Sequence, residues 1–343
     1  MRRRRGLAWG FIVCALILGF VKPAGAAKYL WQVALEEIEG SMQHEYARRF
    51  VDVIEEKSKG QIQCNIHVYG KLGTSGEITE LLQNGDLQFA FQSPGHLGSY
   101  IPEVQVFSIH YLFPTDFTQL EKILRKGPNT YKTLQKYYHD KKLDLLSIIE
   151  EGWQIWTANK PLRQPSDFIG ITFRVMSSPL LITAYRLYGA YVITVPYSQI
   201  FTDLELGRID AETQPFFAIQ EMKFYEVQKY MIKARQLPFI STFAANYAFI
   251  KRLPPDIRAL VDDAIEAAND YIFDLEPRLN EKRKQMIMEA KPAMQYIELT
   301  DEEIDAFRKK SEPLRQKYLE MGGKGASEVL DAVIKDLEWA KQN

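Results

Sequence analysis

The stretch from Gln61 to Phe91, QIQCNIHVYGKLGTSGEITELLQNGDLQFAF, decides the fold class. Gln61 to Tyr69 alternates apolar and polar residues with the period of two that a strand requires. Glu77 to Gln83 then places apolar residues at helical spacing and stops at Gly85, and Leu87 to Phe91 reads as a strand again. Upstream, Tyr29 to Leu35 reads as a strand, and Met42 to Lys57 as a helix with Tyr46, Phe50, Val53 and Ile54 on one face, closed by Gly60. Strand, helix, strand, helix, strand predicts a parallel α/β sheet. A second set with the same grammar begins near Leu143. It has strands at Leu143 to Ile149, Trp153 to Thr157, Thr172 to Val175 and Tyr191 to Val195, helices at Pro179 to Tyr188 and Ser198 to Leu206, and a short strand at Ile209 to Glu212. Two α/β units of similar size are expected.

Beyond residue 240 the pattern changes. Asn246 to Lys251 reads as one more strand. Pro254 to Ala290 holds no interior glycine and one interior proline, Pro277, which predicts a kink or a break in a helix of about 36 residues. Such a helix exceeds the width of a small domain, so it bridges two. Thr300 and Glu303 form a capping box that opens another helix, ended by Gly322 and Gly323, and Ala326 to Lys341 closes the chain as an amphipathic helix. No internal repeat or low-complexity linker separates the units, so they are expected to touch.

The composition bounds the function. In 343 residues, 43 Lys and Arg stand against 44 Asp and Glu, a balance that gives no clustered cation for a nucleic-acid partner. Two cysteines make neither a disulfide framework nor a zinc site. Arg2 to Arg5, the apolar run Leu7 to Val21 and the small residues Ala24-Gly25-Ala26 read as a secretory signal peptide over residues 1–26. A retained anchor is the alternative, but the run is shorter than the roughly 20 residues of a spanning helix. Cleavage would remove five cations, taking the net charge from −1 to about −6, and leave an exported, acidic protein with one thiol, Cys64.

Enzymatic chemistry is hard to find. His44, His67, His96, His110 and His139 fall at no metal-ligand spacing, and no nucleophile elbow, zinc-protease motif or phosphate-binding Walker loop occurs. Gly70, Gly73 and Gly76 follow a strand and precede a helix, but they depart from the dinucleotide fingerprint. These absences imply no metal and no cofactor and favour a binding protein. In Pro165-Ser166-Asp167-Phe168-Ile169-Gly170-Ile171-Thr172-Phe173-Arg174-Val175, a turn and a glycine lead into a strand with Ile171, Phe173 and Val175 on one face and Thr172 and Arg174 on the other. Ligands of α/β sheets bind beyond the carboxyl ends of strands. A guanidinium there is either a clamp for a carboxylate or one half of a structural salt bridge.

From about Tyr29 to its C-terminus the sequence resembles the substrate-binding proteins of tripartite ATP-independent periplasmic (TRAP) transporters, the DctP-like family. The resemblance rests on collinear pieces that include Glu56-Lys57-Ser58-Lys59-Gly60, Tyr69-Gly70-Lys71-Leu72-Gly73, Leu82-Gln83-Asn84-Gly85-Asp86-Leu87, residues 165–175, Leu206-Gly207-Arg208-Ile209-Asp210 and Leu253-Pro254-Pro255-Asp256. It implies a two-lobed α/β periplasmic binding protein with a hinge, a ligand cleft between the lobes and a long helix spanning both. Lobe I would comprise residues 27–152 and about 240–278, and lobe II residues 153–239 and about 279–343 with the C-terminal helices. The function implied is capture of a small organic acid in the periplasm for the small and large TRAP membrane subunits, which form a sodium-coupled permease. No cofactor, metal or nucleic acid is implied, and the receptor is expected to be a monomer.

By the same resemblance Arg174 binds the ligand carboxylate, Gln214 takes the place of a pocket asparagine, and Tyr197 takes that of a pocket aromatic. Where sialic-acid-binding members carry a second arginine two residues after a glycine, Gly152 is followed by Trp153 and Gln154, which argues against a highly oxygenated sugar acid. Trp153 and Trp156 would add apolar surface beside the clamp, unless one of them, Trp156 first, belongs to the core. In the loop after the first strand, from which the resemblance implies ligand contacts, Glu36, Glu37 and Glu39 are acids of which one faces the cleft, unless all three are solvated at the surface; Glu37 is the candidate, and the sequence does not choose among them. An acid near an anion-binding arginine is unfavourable unless the ligand also carries a cation or hydroxyl donors. Gln92 and Ser93, ending the third strand, complete the candidate set. The alternatives are a ligand sensor for a membrane kinase and an exported hydrolase or lyase using Glu36 or Glu37 with His96.

Overall fold

A computed structural model describes residues 28–342, and the expected signal peptide, residues 1–26, lies outside the described residues. The chain opens with β1 (Tyr29–Ala34), α1 (Met42–Lys57), β2 (Ile62–His67), α2 (Ser75–Asn84), β3 (Phe89–Gln92) and the single-turn α3 (Pro94–Leu97). Ser41 caps α1 by accepting from the His44 amide. Thr74 and Glu77 form a capping box on α2, and Gly85, at φ 90°, ends that helix in the left-handed conformation glycine adopts without strain. Then come α4 (Phe117–Lys126), α5 (Pro128–Asp140), β4 (Leu143–Ala158), β5 (Thr172–Val175), α6 (Pro179–Tyr188), β6 (Tyr191–Thr194), α7 (Ile200–Glu205), β7 (Ala211–Gln214), α8 (Phe216–Glu221) and α9 (Phe224–Val227). The rest is β8 (Tyr230–Asn246), α10 (Tyr247–Arg252), α11 (Pro255–Ala290), β9 (Gln295–Glu298), α12 (Asp301–Ser311) and α13 (Leu314–Gln342).

The sheet runs β2-β1-β3-β8-β4-β7-β5-β6, with β9 on β8. Its parallel pairs lie toward the outside, β1 with β2 and β3, β5 with β6 and β7, and β8 with β9. The middle is antiparallel, because β4 and β8 run through both halves of the molecule. The first part of β4 pairs with the last part of β8 beside β3, and the last part of β4 pairs with the first part of β8 beside β7. The wholly parallel sheet expected from the sequence is thus corrected to a mixed one. The strands expected at Leu143 to Ile149 and Trp153 to Thr157 are one strand of 16 residues, interrupted only by register shifts around Glu150 to Ile155. Asn246 to Lys251 is also not a strand. Asn246 ends β8, and its side chain accepts from the Phe249 amide, which opens α10 instead. Helix α11 passes Pro277 without a break.

Each half has an aromatic group. Tyr46, Phe50, Phe89, Phe91 and Phe243 pack together in one, and Trp156, Phe168, Phe173, Tyr185, Tyr188 and Phe307 in the other. The two aromatic groups belong to one continuous core, and β4, β8 and α11 run between the halves.

Candidate ligand site

Between the halves lies a cavity of about 270 Å³. One wall comes from loops at the strand ends of the first half, with Glu36, Glu37, Tyr69, Ser93 and His96. The other comes from β5, β7 and the turn after β6, with Arg174, Met176, Tyr197 and Gln214. Arg174 is 1% exposed. Its Nε and Nη2 donate to the Val195 carbonyl at 3.2 and 3.0 Å, which orients the guanidinium. Among the described residues no carboxylate forms an ion pair with it. Burial lowers its pKa to about 10, with Glu212 acting in the opposite direction, so it stays cationic at neutral pH. A buried cation without an anion is costly.

The facing wall is acidic. Glu36 accepts from the Ser93 amide at 2.7 Å, and burial pushes its carboxyl up to about 7. Glu37 accepts from the Gln43 amide at 3.3 Å and shares a hydrogen bond with the Glu151 carboxyl of β4. Burial first, then Glu151, pushes Glu37 well above the usual carboxylate range. Two carboxyls this close cannot both ionise at neutral pH, so the pair holds a proton. Gln43 supports it, donating through Nε2 to Glu151 Oε1 at 3.3 Å and to Ser241 Oγ at 3.2 Å. Across the cavity the rings of Tyr69 and Tyr197 meet at 5.6 Å, and Ser93 Oγ donates to Met176 Sδ. His96 Nδ1 lies 3.3 Å from Ser177 Oγ, and burial together with the Arg174 charge lowers its pKa to about 3, which keeps it neutral.

Of the candidates named from the sequence, Arg174, Gln214, Tyr197, Ser93 and Glu37 meet at this cavity, and Gln92, Gln154 and Trp153 lie outside its lining. Gln92 is buried and donates to Thr79 Oγ1 at 2.6 Å. Gln154 is buried on β4, its carbonyl accepting from Gln236. Trp153 is half-buried at the register shift opposite Pro238. Trp156 is fully buried and donates to Tyr185 Oη at 3.0 Å, which puts it in the core. Met176, Phe239 and Gln43 also line the cavity, and Glu151 stands behind it against Glu37 and Gln43. Nothing local in the sequence distinguishes these four from other core and capping residues.

The buried acids have a consequence for stability. Glu36, Glu212 and Glu276 are raised to about 7 and Glu221 to about 8, all first by burial. A carboxyl raised on folding contributes stability that is complete below its unfolded pKa and is lost as pH rises through its folded value. The urea midpoint is therefore expected to fall between pH 5.5 and pH 8, and a rising midpoint over that interval would contradict these assignments.

The family model for bacterial extracellular solute-binding protein family 7, DctP, matches residues 34–321. The chain belongs to the DctP family. This DctP-family protein is 34% identical over 321 residues to the ectoine/5-hydroxyectoine-binding periplasmic protein UehA of Ruegeria pomeroyi, covering 93% of this chain and 94% of the relative. It is 33% identical over 324 residues to the ectoine-binding periplasmic protein TeaA of Halomonas elongata, covering 94% of each. The solved structure of TeaA superposes with a TM-score of 0.88, covering 90% of this chain and 99% of that one. A TRAP periplasmic solute-binding protein from Marinobacter aquaeolei VT8, in an open form without ligand, is 38% identical, with a TM-score of 0.83 and coverage of 89% of this chain and 99% of that one. The DctP-family protein is therefore a two-lobed solute-binding protein of a TRAP transporter, working with membrane subunits, and not an enzyme.

Proposed function

We propose that this DctP-family protein is a periplasmic receptor that captures a small organic acid through Arg174 and delivers it to a sodium-coupled TRAP permease. The observation that carries the reading is the buried, unpaired guanidinium of Arg174 facing a cavity shared by both halves. On this reading Gln214 and the Tyr197 hydroxyl add hydrogen bonds to the bound acid, and the Glu37–Glu151 pair meets its other end. An anion clamp opposite acids suits a solute carrying a carboxylate at one end and a cation or hydroxyl donors at the other. Ectoine, the solute in the names of both relatives, is such a molecule, with a carboxylate and an amidinium. The receptor is proposed to act as a monomer after cleavage of residues 1–26. Its lobes are residues 27–152 with about 240–278, and 153–239 with about 279–343, and they close about β4, β8 and α11.

A thermal-shift panel of ectoine, succinate, a 2-oxo acid, an α-amino acid, a sugar acid and a sulfonate tests this. A solute at 100 times its Kd adds about 2.7 kcal/mol of stability. A zwitterionic acid is expected to raise the melting temperature most. Glu37→Gln is expected to weaken that acid about tenfold, worth about 1.4 kcal/mol, while binding succinate no more weakly than the wild type. No shift with any member would overturn the organic-acid reading.

A further inference from the structure

Behind Arg174, away from the cavity, stands a carboxyl that binding of a solute does not need to touch. β5 pairs with β7 in parallel through Phe173 and Ala211, so the next residues, Arg174 and Glu212, stand side by side with their side chains on one face. On the other side of Glu212, β4 places Thr157 directly opposite, and Thr157 Oγ1 donates to Glu212 Oε1 at 2.7 Å. Thr157, Glu212 and Arg174 therefore form a row across three adjacent strands. Glu212 is fully buried, its Oε2 has no hydrogen-bond partner, and no ion pair neutralises it among the described residues. The charged and titratable groups that sense it are Arg174 of β5, Tyr185 of α6 and Tyr197 of the turn after β6. Both tyrosines are held neutral by burial, which leaves Arg174 as its charged neighbour.

We propose that Glu212 is a positioning residue that sets the strength of Arg174 as an anion binder by exchanging a proton with solvent. Protonated, it leaves the whole guanidinium charge to the solute's carboxylate; ionised, it cancels part of that charge. An arriving carboxylate makes the surroundings of Glu212 more negative, so capture takes up one proton at Glu212 and release returns it. Burial raises Glu212 to about 7, which brings this exchange into the neutral range. The proposal rests on the Arg174 reading above. Glu36, Glu37, Glu151 and His96 act on the same solute from the facing wall, so the test is the difference between variants and not the pH profile of the wild type alone.

The Kd values of ectoine and succinate are measured by calorimetry between pH 6 and pH 8.5 for the wild type, Glu212→Gln, Thr157→Val and Arg174→Ala, with circular dichroism confirming that each variant is folded. The Glu212 contribution to wild-type affinity is expected to fall about fivefold between pH 6 and pH 8, the equivalent of a linked pKa that rises from about 7 by one unit on binding. Glu212→Gln, whose amide still accepts from Thr157, is expected to lose about fivefold less affinity over that interval than the wild type. Thr157→Val removes a hydrogen bond that favours the ionised carboxyl and is expected to move the midpoint to higher pH. Identical pH profiles in the wild type and Glu212→Gln, or an unmoved midpoint in Thr157→Val, would overturn the proposal. If neither acid binds, or if Arg174→Ala binds them as tightly as the wild type, the Arg174 reading fails and this inference fails with it.

Discussion

Arg174→Ala is expected to weaken binding of a carboxylate solute by about 3 kcal/mol or more, roughly 150-fold in Kd, because the variant leaves a buried anion without its cation. The same change is expected to leave the ligand-free protein at least as stable as the wild type. Arg174 is desolvated and donates only to the Val195 carbonyl, with no acid paired to it, so its removal breaks no salt bridge. The two readouts separate the readings left open by the sequence. A structural arginine would lose stability and spare affinity, whereas a clamp loses affinity and spares stability. Calorimetric titration of ectoine and urea unfolding of the empty variant measure both.

Trp156→Ala is expected to cost about 3–5 kcal/mol of folding stability, the range for truncating a large, fully buried aromatic. The ring packs edge-on against Phe168 and Phe307 at centroid distances of 5.0 Å, and its loss also leaves the Tyr185 hydroxyl without the Trp156 N–H. Trp153→Ala, three residues away and half-buried, is expected to cost no more than about 1 kcal/mol. Urea midpoints of the two variants check this, and equal losses would contradict the division between a core and an exterior tryptophan.

The division between these two tryptophans shows what the sequence carried and what it did not. Local signals were legible. The Thr300–Glu303 capping box opens a helix where expected, and Gly85 ends one in the left-handed conformation. Arg174 was found because a strand covered on both sides does not hold a guanidinium without a reason. Long-range pairing was not legible. The run from Glu150 to Trp153 contains Gly152 at φ 117° and reads as a break, yet pairing with β8 carries one strand through it. Most of β8 gives no strand signal in the sequence, because a strand buried on both sides lacks alternation. Gln92 adjoins the cavity residue Ser93, and the buried positions of Gln92 and Gln154 are set by partners elsewhere in the chain, Thr79 and Gln236. Glu212 reads as the end of a short strand, and nothing local marks it as the neighbour of Arg174, because the pairing of β5 with β7 is a tertiary fact.

The central claim is that a small organic acid is held in the cavity by Arg174. The most direct test is a crystal structure of the protein grown with the panel acid that stabilises it most. The account expects the carboxylate within about 3.2 Å of the Arg174 guanidinium, with the other end of the solute toward Glu37. A solute seated elsewhere, or one lying in the cavity with its carboxylate turned away from Arg174, would contradict it.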